Sequence, residues 1–180
     1  DAGFGITLDD KALLSPGKTK LVVPTKTLAN AIADEWRNQE DQIIPSTMPF
    51  MTLSSTAVDR VRPRSDDTID EILSFLETDL LCYRAQEPDA LVREQNEVWQ
   101  PLLNWCEGLI GSAFNVTSGI MPVSQVPTLV PSARKILRSY NDFELLGLHQ
   151  FTSISGSAVI GLALSENHIE LEAAYQAAFI

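Results

Sequence analysis

The residues on which most site chemistry depends are scarce in this chain. Histidine occurs only as His149 and His168, and cysteine only as Cys82 and Cys106, in 180 residues. There is no CxxC, no HExxH and no acidic loop of calcium spacing, so the sequence offers no support for a metal site. Two cysteines are too few for a disulfide framework in a chain this long. Both stand among apolar neighbours and read as buried thiols. No GxxxxGK[ST] loop is present. Gly3-Phe4-Gly5 lacks the third glycine and the strand–helix setting of a dinucleotide fingerprint. Ser153 to Ser157 is not a GxSxG elbow. No metal, nucleotide or other cofactor is therefore expected, and the chain is not read as an enzyme.

Positive charge is also short, with 13 Lys and Arg against 24 Asp and Glu, a formal net charge of -11. Such a field repels phosphate and excludes the nucleic-acid-binding class. It disfavours an anionic membrane surface and admits a partner with a basic or neutral face. Long apolar runs are missing too. The longest, Ile154 to Leu164, is far below the ~20 residues of a spanning helix, so no membrane insertion is expected. The text turns to strand-like residues at Gly3, which reads as no leader peptide.

What is present suits a folded chain: 44% hydrophobic and 21% charged residues. Phe4, Ile6 and Leu8 alternate, Asp9-Asp10 fits a tight turn, and Ser15-Pro16-Gly17 fits a second one. Leu21 to Val23 makes a further strand, stopped by Pro24. Together they predict a small antiparallel sheet. Thr25 or Thr27 then caps a helix whose stripe is Leu28, Ile32 and Trp36, with Trp36 anchoring it on the sheet. Asp34, Glu35 and Asp89 read as solvated charges. "IIPSTMPFM" reads as a loop and "TLSSTAVDRV" as helix. Pro63 is expected to break the chain, and Ser65-Asp66-Asp67 to cap the next helix, which carries Ile69, Ile72, Leu73 and Leu76. These signals divide the chain into a small α/β domain over residues 1–64 and a helical domain over 65–180.

Beyond Pro88 the pattern is helical. Leu91, Val98, Leu102, Leu103 and Trp105 form one stripe, and Pro101 kinks or splits it. The stretch from Val116 to Pro131 reads as loop or short extended chain, followed by a helix from about Pro131. Asn141 or Asp142 caps "FELLGLHQFTSISGSAVIGLAL", which is read as the central helix of a bundle because its small residues permit close approach. His149 on it reads as a satisfied interior residue. A last helix runs from near Glu166 to Ile180.

Four stretches in order, "LVVPTKTLANAIADEWRNQ", "DLLCYRA", "EQNEVWQPLLNW" and the segment from Phe143, resemble the assembly chaperones of the F-type ATP synthase catalytic sector. The chain looks like the class that handles the α subunit. This implies an α+β fold: a small N-terminal antiparallel sheet with a helix, then a C-terminal orthogonal helical bundle. It implies a molecular chaperone that binds the unassembled α subunit, shields its aggregation-prone interface and releases it during assembly with β. It also implies the bacterial cytoplasm, or the mitochondrial matrix if the source is eukaryotic. The match departs at Gln100, where the family often has an acid. It also ends short of the family's last helical stretch.

On this resemblance, Asp79, Arg84, Gln95 and Trp99 are candidate partner-binding residues; Glu172, read from its place on the last helix as a docking charge, joins them. Trp36, Cys82, Tyr83 and Trp105 are the structural anchors. Leu80 to Tyr83 are expected to pack, with Asp79 and Arg84 at their polar edges. Whether the cluster only packs or also faces a client stays open. The competing expectation is a small-substrate enzyme built on Cys82, Arg84 and Asp79, for which reactive thiol chemistry would be needed.

Overall fold

The computed structural model of the chain describes residues 3–180. They belong to two compact units, Asp1–Ser65 and Asp66–Ile180. The architecture is α+β, with short strands and a majority of helix.

In the first unit, β1 (Phe4–Gly5) pairs antiparallel with β4 (Val22–Val23), and β2 (Thr7–Leu8) with β3 (Lys11–Ala12). Asp9 and Asp10 turn the β2–β3 hairpin with φ of 48° and 64°, the left-handed pair that matches strand twist in a two-residue loop. Ile6, Leu13, Leu21 and Val23 are buried, whereas Phe4 is exposed. The alternation therefore marks a core face at Ile6 that does not extend to the strand's start.

Helix α1 (Lys26–Arg37) is capped by Thr25, whose hydroxyl accepts from the Leu28 amide. Its buried positions are Ala29, Ile32 and Glu35. Glu35 is a correction to the sequence reading, which left it solvated. Its carboxylate accepts from the amides of Phe50 and Met51 at 2.7 and 2.8 Å. These are among the orphan donors at the start of α2 (Pro49–Thr56), where a negative charge also meets the positive end of the helix dipole. Pro49 opens α2 at a position where its missing N–H costs nothing. The chain does not break at Pro63. It continues through a wide π turn at Ala57–Val61 and a tight 3-10 turn at Arg62–Arg64.

The second unit begins in α3 (Ser65–Glu77), which buries Ile69, Ile72, Leu73 and Leu76, the stripe the spacing predicts. A 3-10 turn at Leu80–Cys82 leads into β5 (Tyr83–Arg84). Helix α4 (Asp89–Ile110) runs unbroken through Pro101. Its buried face is Gln95, Trp99, Leu102, Leu103, Cys106 and Ile110, rotated from the predicted stripe because Gln95 and Trp99 have polar partners inside. β6 (Thr117–Ser118) pairs parallel with β5.

Helix α5 (Leu129–Leu137) begins two residues before the predicted Pro131 start, and α6 (Asp142–Ser155) is capped by a reciprocal Asn141–Glu144 box. The predicted single central helix is two. Gly156 takes φ 72° and closes α6, and the Ser157 hydroxyl accepts from Ile160 N to open α7 (Ala158–Ser165). The small residues still serve contact. A Cβ on Gly161 would meet Thr152 Oγ1 at 2.8 Å and Leu148 Cδ1 at 3.0 Å, and α7 is buried from Ala158 through Ala163. Helix α8 spans Leu171–Ala178, starting later than Glu166 because Asn167 turns with φ 55°.

Candidate functional site

The residues singled out in the sequence gather at the turn before β5 and its contacts with α4 and α7. Asp79 is fully buried. Its carboxylate accepts from the Ser157 hydroxyl at 2.7 Å, Val159 N at 3.0 Å and Leu81 N at 3.1 Å. One side chain thus ties the Leu80–Cys82 turn to the start of α7. Burial pushes its pKa up to about 6, against the opposing effect of those donors.

Arg84, buried as well, makes no bond to Asp79. Its Nε donates to the Leu81 carbonyl at 2.8 Å and its Nη1 to the Gln95 carbonyl at 2.8 Å. Weaker bonds go to Asn96 Oδ1 and to Gln100 Oε1. The guanidinium carbon lies 5.4 Å from the Trp99 ring centre, a cation–π contact. Burial lowers the Arg84 pKa, and the oxygens it donates to are neutral. Gln95 returns its own Oε1 to Ala85 N at 2.8 Å. The fork geometry of Arg, which directs several donors at once, is what lets one residue hold β5 on α4.

Trp99 is buried and donates its indole N–H to the Ala177 carbonyl at 2.8 Å. Trp105, half-buried, stacks on His168 with ring centres 4.5 Å apart and planes 10° apart. Two aromatic residues of α4 therefore fix α8 and the loop before it. His149 has its Nε2 2.7 Å from Glu71 Oε2 and is only partly covered, so it is not an interior residue.

Four of the five candidate partner-binding residues, Asp79, Arg84, Gln95 and Trp99, lie inside the second unit. A partner could touch them only after that interior opened. Asp79 and Arg84 sit within the packing, not at its edge. Tyr83 is half-buried, Cys82 is fully buried and Trp36 is half-buried. The Cys82 thiol is pushed up to about 12 by burial and by the nearby Asp79 charge, and Cys106 is pushed higher by burial. A thiol held in that state supplies almost no thiolate near neutral pH. Among the described residues no cluster of His, Cys, Asp and Glu is arranged to hold a metal.

Glu172 is the exposed member of the set and lies on α8. Beside it runs a feature that the sequence reading missed. Leu171, Tyr175 and Phe179 are 62%, 61% and 65% exposed, and the last two rings meet at a tilt of 39° with centres 4.7 Å apart. Ala174 and Ala177 fill the opposite, buried face of the same helix. The signal was available: Leu171, Tyr175 and Phe179 are spaced by four on one side and Ala174 and Ala177 lie on the other, more apolar surface than one packed face requires. Among the described residues no helix is long and apolar enough to cross a membrane.

The structure defines an α+β protein whose polar cluster holds elements together and whose last described helix exposes apolar side chains. Solved structures of known proteins share this fold. A point mutant of Atp12p from Paracoccus denitrificans superimposes with a TM-score of 0.92 and 35% identity, over 99% of this chain and 76% of that one. Atp12 from Paracoccus denitrificans gives 0.89 and 35%, over 96% and 74%. The Atu1473 protein of Agrobacterium tumefaciens gives 0.88 and 37%, over 98% and 66%. A family model described as ATP12 chaperone protein matches residues 1–107. The chain belongs to the ATP12 chaperone family, whose members are chaperones of ATP synthase assembly.

Proposed function

We propose that the client is the unassembled α subunit of the ATP synthase catalytic sector, and that the chain acts on it without catalysis. The observation that carries this reading is the family match together with 35% identity to Atp12p over 99% of the chain. An isolated ring subunit exposes apolar surface that its neighbour normally covers, and patches above a few hundred Å² invite aggregation. The exposed Leu171 and Tyr175 on α8, with Phe179 just after it, offer complementary apolar area, with Glu172 as a polar guide beside them. Release needs no nucleotide. The β subunit buries the same surface more favourably and displaces the chaperone by competition. The bacterial relatives support a cytoplasmic site of action.

The absence of chemistry is part of the same proposal. Cys82, Arg84 and Asp79, the residues an enzyme reading would use, are buried and engaged or unreactive. Alkylation of native Cys82 is expected to be slow until the chain unfolds; rapid labelling of the folded protein would restore the enzyme reading. The main test is co-expression with separate α and β subunits. Selective solubility of α, recovered in complex with this chain, is the expected result. Equal rescue of β, or of neither, would overturn the choice of client.

A further inference from the structure

Helix α6 carries a glycine that packing does not explain. Gly147 lies in the interior of α6, where glycine is disfavoured relative to alanine or leucine. Gly161 earns its place by close contact, since a Cβ there would meet Thr152 and Leu148. A Cβ built on Gly147 would meet nothing within 4 Å. What the bare backbone does leave is room in a pocket of about 410 Å³ that Gly147 lines. That volume is of the size of built ligand sites.

The pocket belongs to the second unit alone. Glu144, Gly147 and Phe151 are spaced by three and four, so they share one side of α6. Tyr140 borders the pocket from the turn before α6, and Glu166 from the end of α7. The hydroxyl of Tyr140 donates to Glu166 Oε1. Burial first, then the bond to Glu166 and its charge, push the phenol pKa up, so Tyr140 stays a donor across the ordinary pH range. Glu144 Oε2 accepts from the Asn141 amide at 2.8 Å. Each carboxylate is thus positioned by one bond and, having two oxygens, keeps further acceptor capacity.

The charge of the lining is of one sign. Glu144 and Glu166 contribute to it, and among the described residues no lysine or arginine does. Arg138, close to Tyr140 in the chain, is paired with Asp66. The remaining large lining groups are the rings of Tyr140 and Phe151. Carboxylates beside aromatic surface suit a flat cation that donates at its edge and stacks on its face. The guanidinium of arginine has that form, and it gives up water more readily than an ammonium.

We propose that this pocket receives an arginine side chain displayed by the client, with Glu144 and Glu166 accepting from its guanidinium and the bare backbone of Gly147 leaving room for it. The proposal rests on the chaperone reading for the source of the arginine and adds a named contact on α6, apart from the α8 surface.

The test uses the full chain and two readouts. In the first, N-acetyl-arginine amide is titrated while the Gly147 amide resonance is followed by NMR, with N-acetyl-citrulline amide as the neutral isostere. Arginine is expected to shift the resonance and citrulline to leave it in place. In the second, retention of α subunit is measured beside the melting temperature. Gly147→Leu fills the pocket and suits the helix, so it should raise the melting temperature while weakening retention about tenfold. Glu166→Gln keeps an acceptor for Tyr140 and removes the charge; it should weaken retention about threefold at an unchanged melting temperature. If citrulline acts as well as arginine, or neither shifts the resonance, the pocket proposal fails while the chaperone reading stands. It fails in the same way if both variants retain α subunit as well as the parent does. A lowered melting temperature in Gly147→Leu would show that the glycine serves packing and would also overturn it. If the parent chain retains no α subunit, the chaperone reading fails, and the client contact fails with it even where arginine binds.

Discussion

Asp79 and Ser55 are both buried side chains with an oxygen to satisfy, one in each unit, and they are handled in opposite ways. Asp79 accepts three hydrogen bonds and joins a turn to a helix start. Ser55 Oγ, with Trp36 Nε1, is buried and has no partner among the described residues. Thr152 Oγ1 in the second unit is also unpartnered and lies in close packing beside Gly161. A fully satisfied buried network fixes one arrangement of the chain, whereas an unmatched buried group adds no such constraint and costs its desolvation. Stability is concentrated in the first case.

The largest effect should come from removing the centre of the satisfied network. Asp79→Ala strands the Ser157 hydroxyl and the amides of Leu81 and Val159 in the interior. A loss of about 3 kcal/mol or more is expected from unpaired buried donors, read by urea unfolding. A loss below about 1 kcal/mol would mean that the network is dispensable and the comparison misplaced. The pH dependence sharpens the same point. The folded carboxyl sits at about 6 against 3.8 for the free group, so between those values the folded chain holds a proton that the unfolded chain has lost. Stability therefore falls by about 3 kcal/mol as pH rises through that window and is level above it. Asp79→Asn should abolish that slope.

Arg84→Lys comes next. Lysine keeps the charge but loses the fork that reaches Leu81 and Gln95 together and the stacking over Trp99. About 2 kcal/mol should be lost, with α-subunit retention reduced only in proportion to the folded fraction. Loss of retention at an unchanged melting temperature would instead return Arg84 to the client surface. In the first unit, Glu35→Ala should cost about 1 kcal/mol, the worth of a helix-start cap, read by the same urea unfolding.

These residues also show what a sequence can reveal about itself. The Asp9-Asp10 turn, the α3 stripe and the Asn141 cap were legible because each is a local matter of φ, spacing or a neighbouring amide. The α+β class was legible for the same reason. Glu35 was not, since its partners are 15 and 16 residues away and nothing local separates it from the solvated Asp34. The break at Gly156 was hidden inside an apolar run that continues on both sides of it. The family resemblance grouped Asp79, Arg84, Gln95 and Trp99, but a polar residue bound for the interior reads the same as one bound for a partner. Only the partners within the fold decide between those fates.

The smallest predicted effect tests whether the second unit's network is complete as it stands. Gln100 offers its Oε1 to Arg84 Nη2 at 3.4 Å, a long bond to a neutral oxygen, while its amide donates to Asn104 Oδ1 at 2.7 Å. Gln100→Glu would place a carboxylate beside a guanidinium whose other hydrogen-bond acceptors, at Leu81, Gln95 and Asn96, are uncharged. It would also surrender the Asn104 bond. Charge-assisted bonds to a fork are stronger than neutral ones, but position 100 is half-buried, so solvent screens part of the gain. A net stabilisation of about 0.5 kcal/mol is expected, absent in the Arg84→Lys background if the fork is what receives the carboxylate. The double-mutant cycle separates that coupling from the loss at Asn104. A destabilised Gln100→Glu would show that the neutral carbonyls already satisfy Arg84, and that the amide at position 100 is held for Asn104 alone.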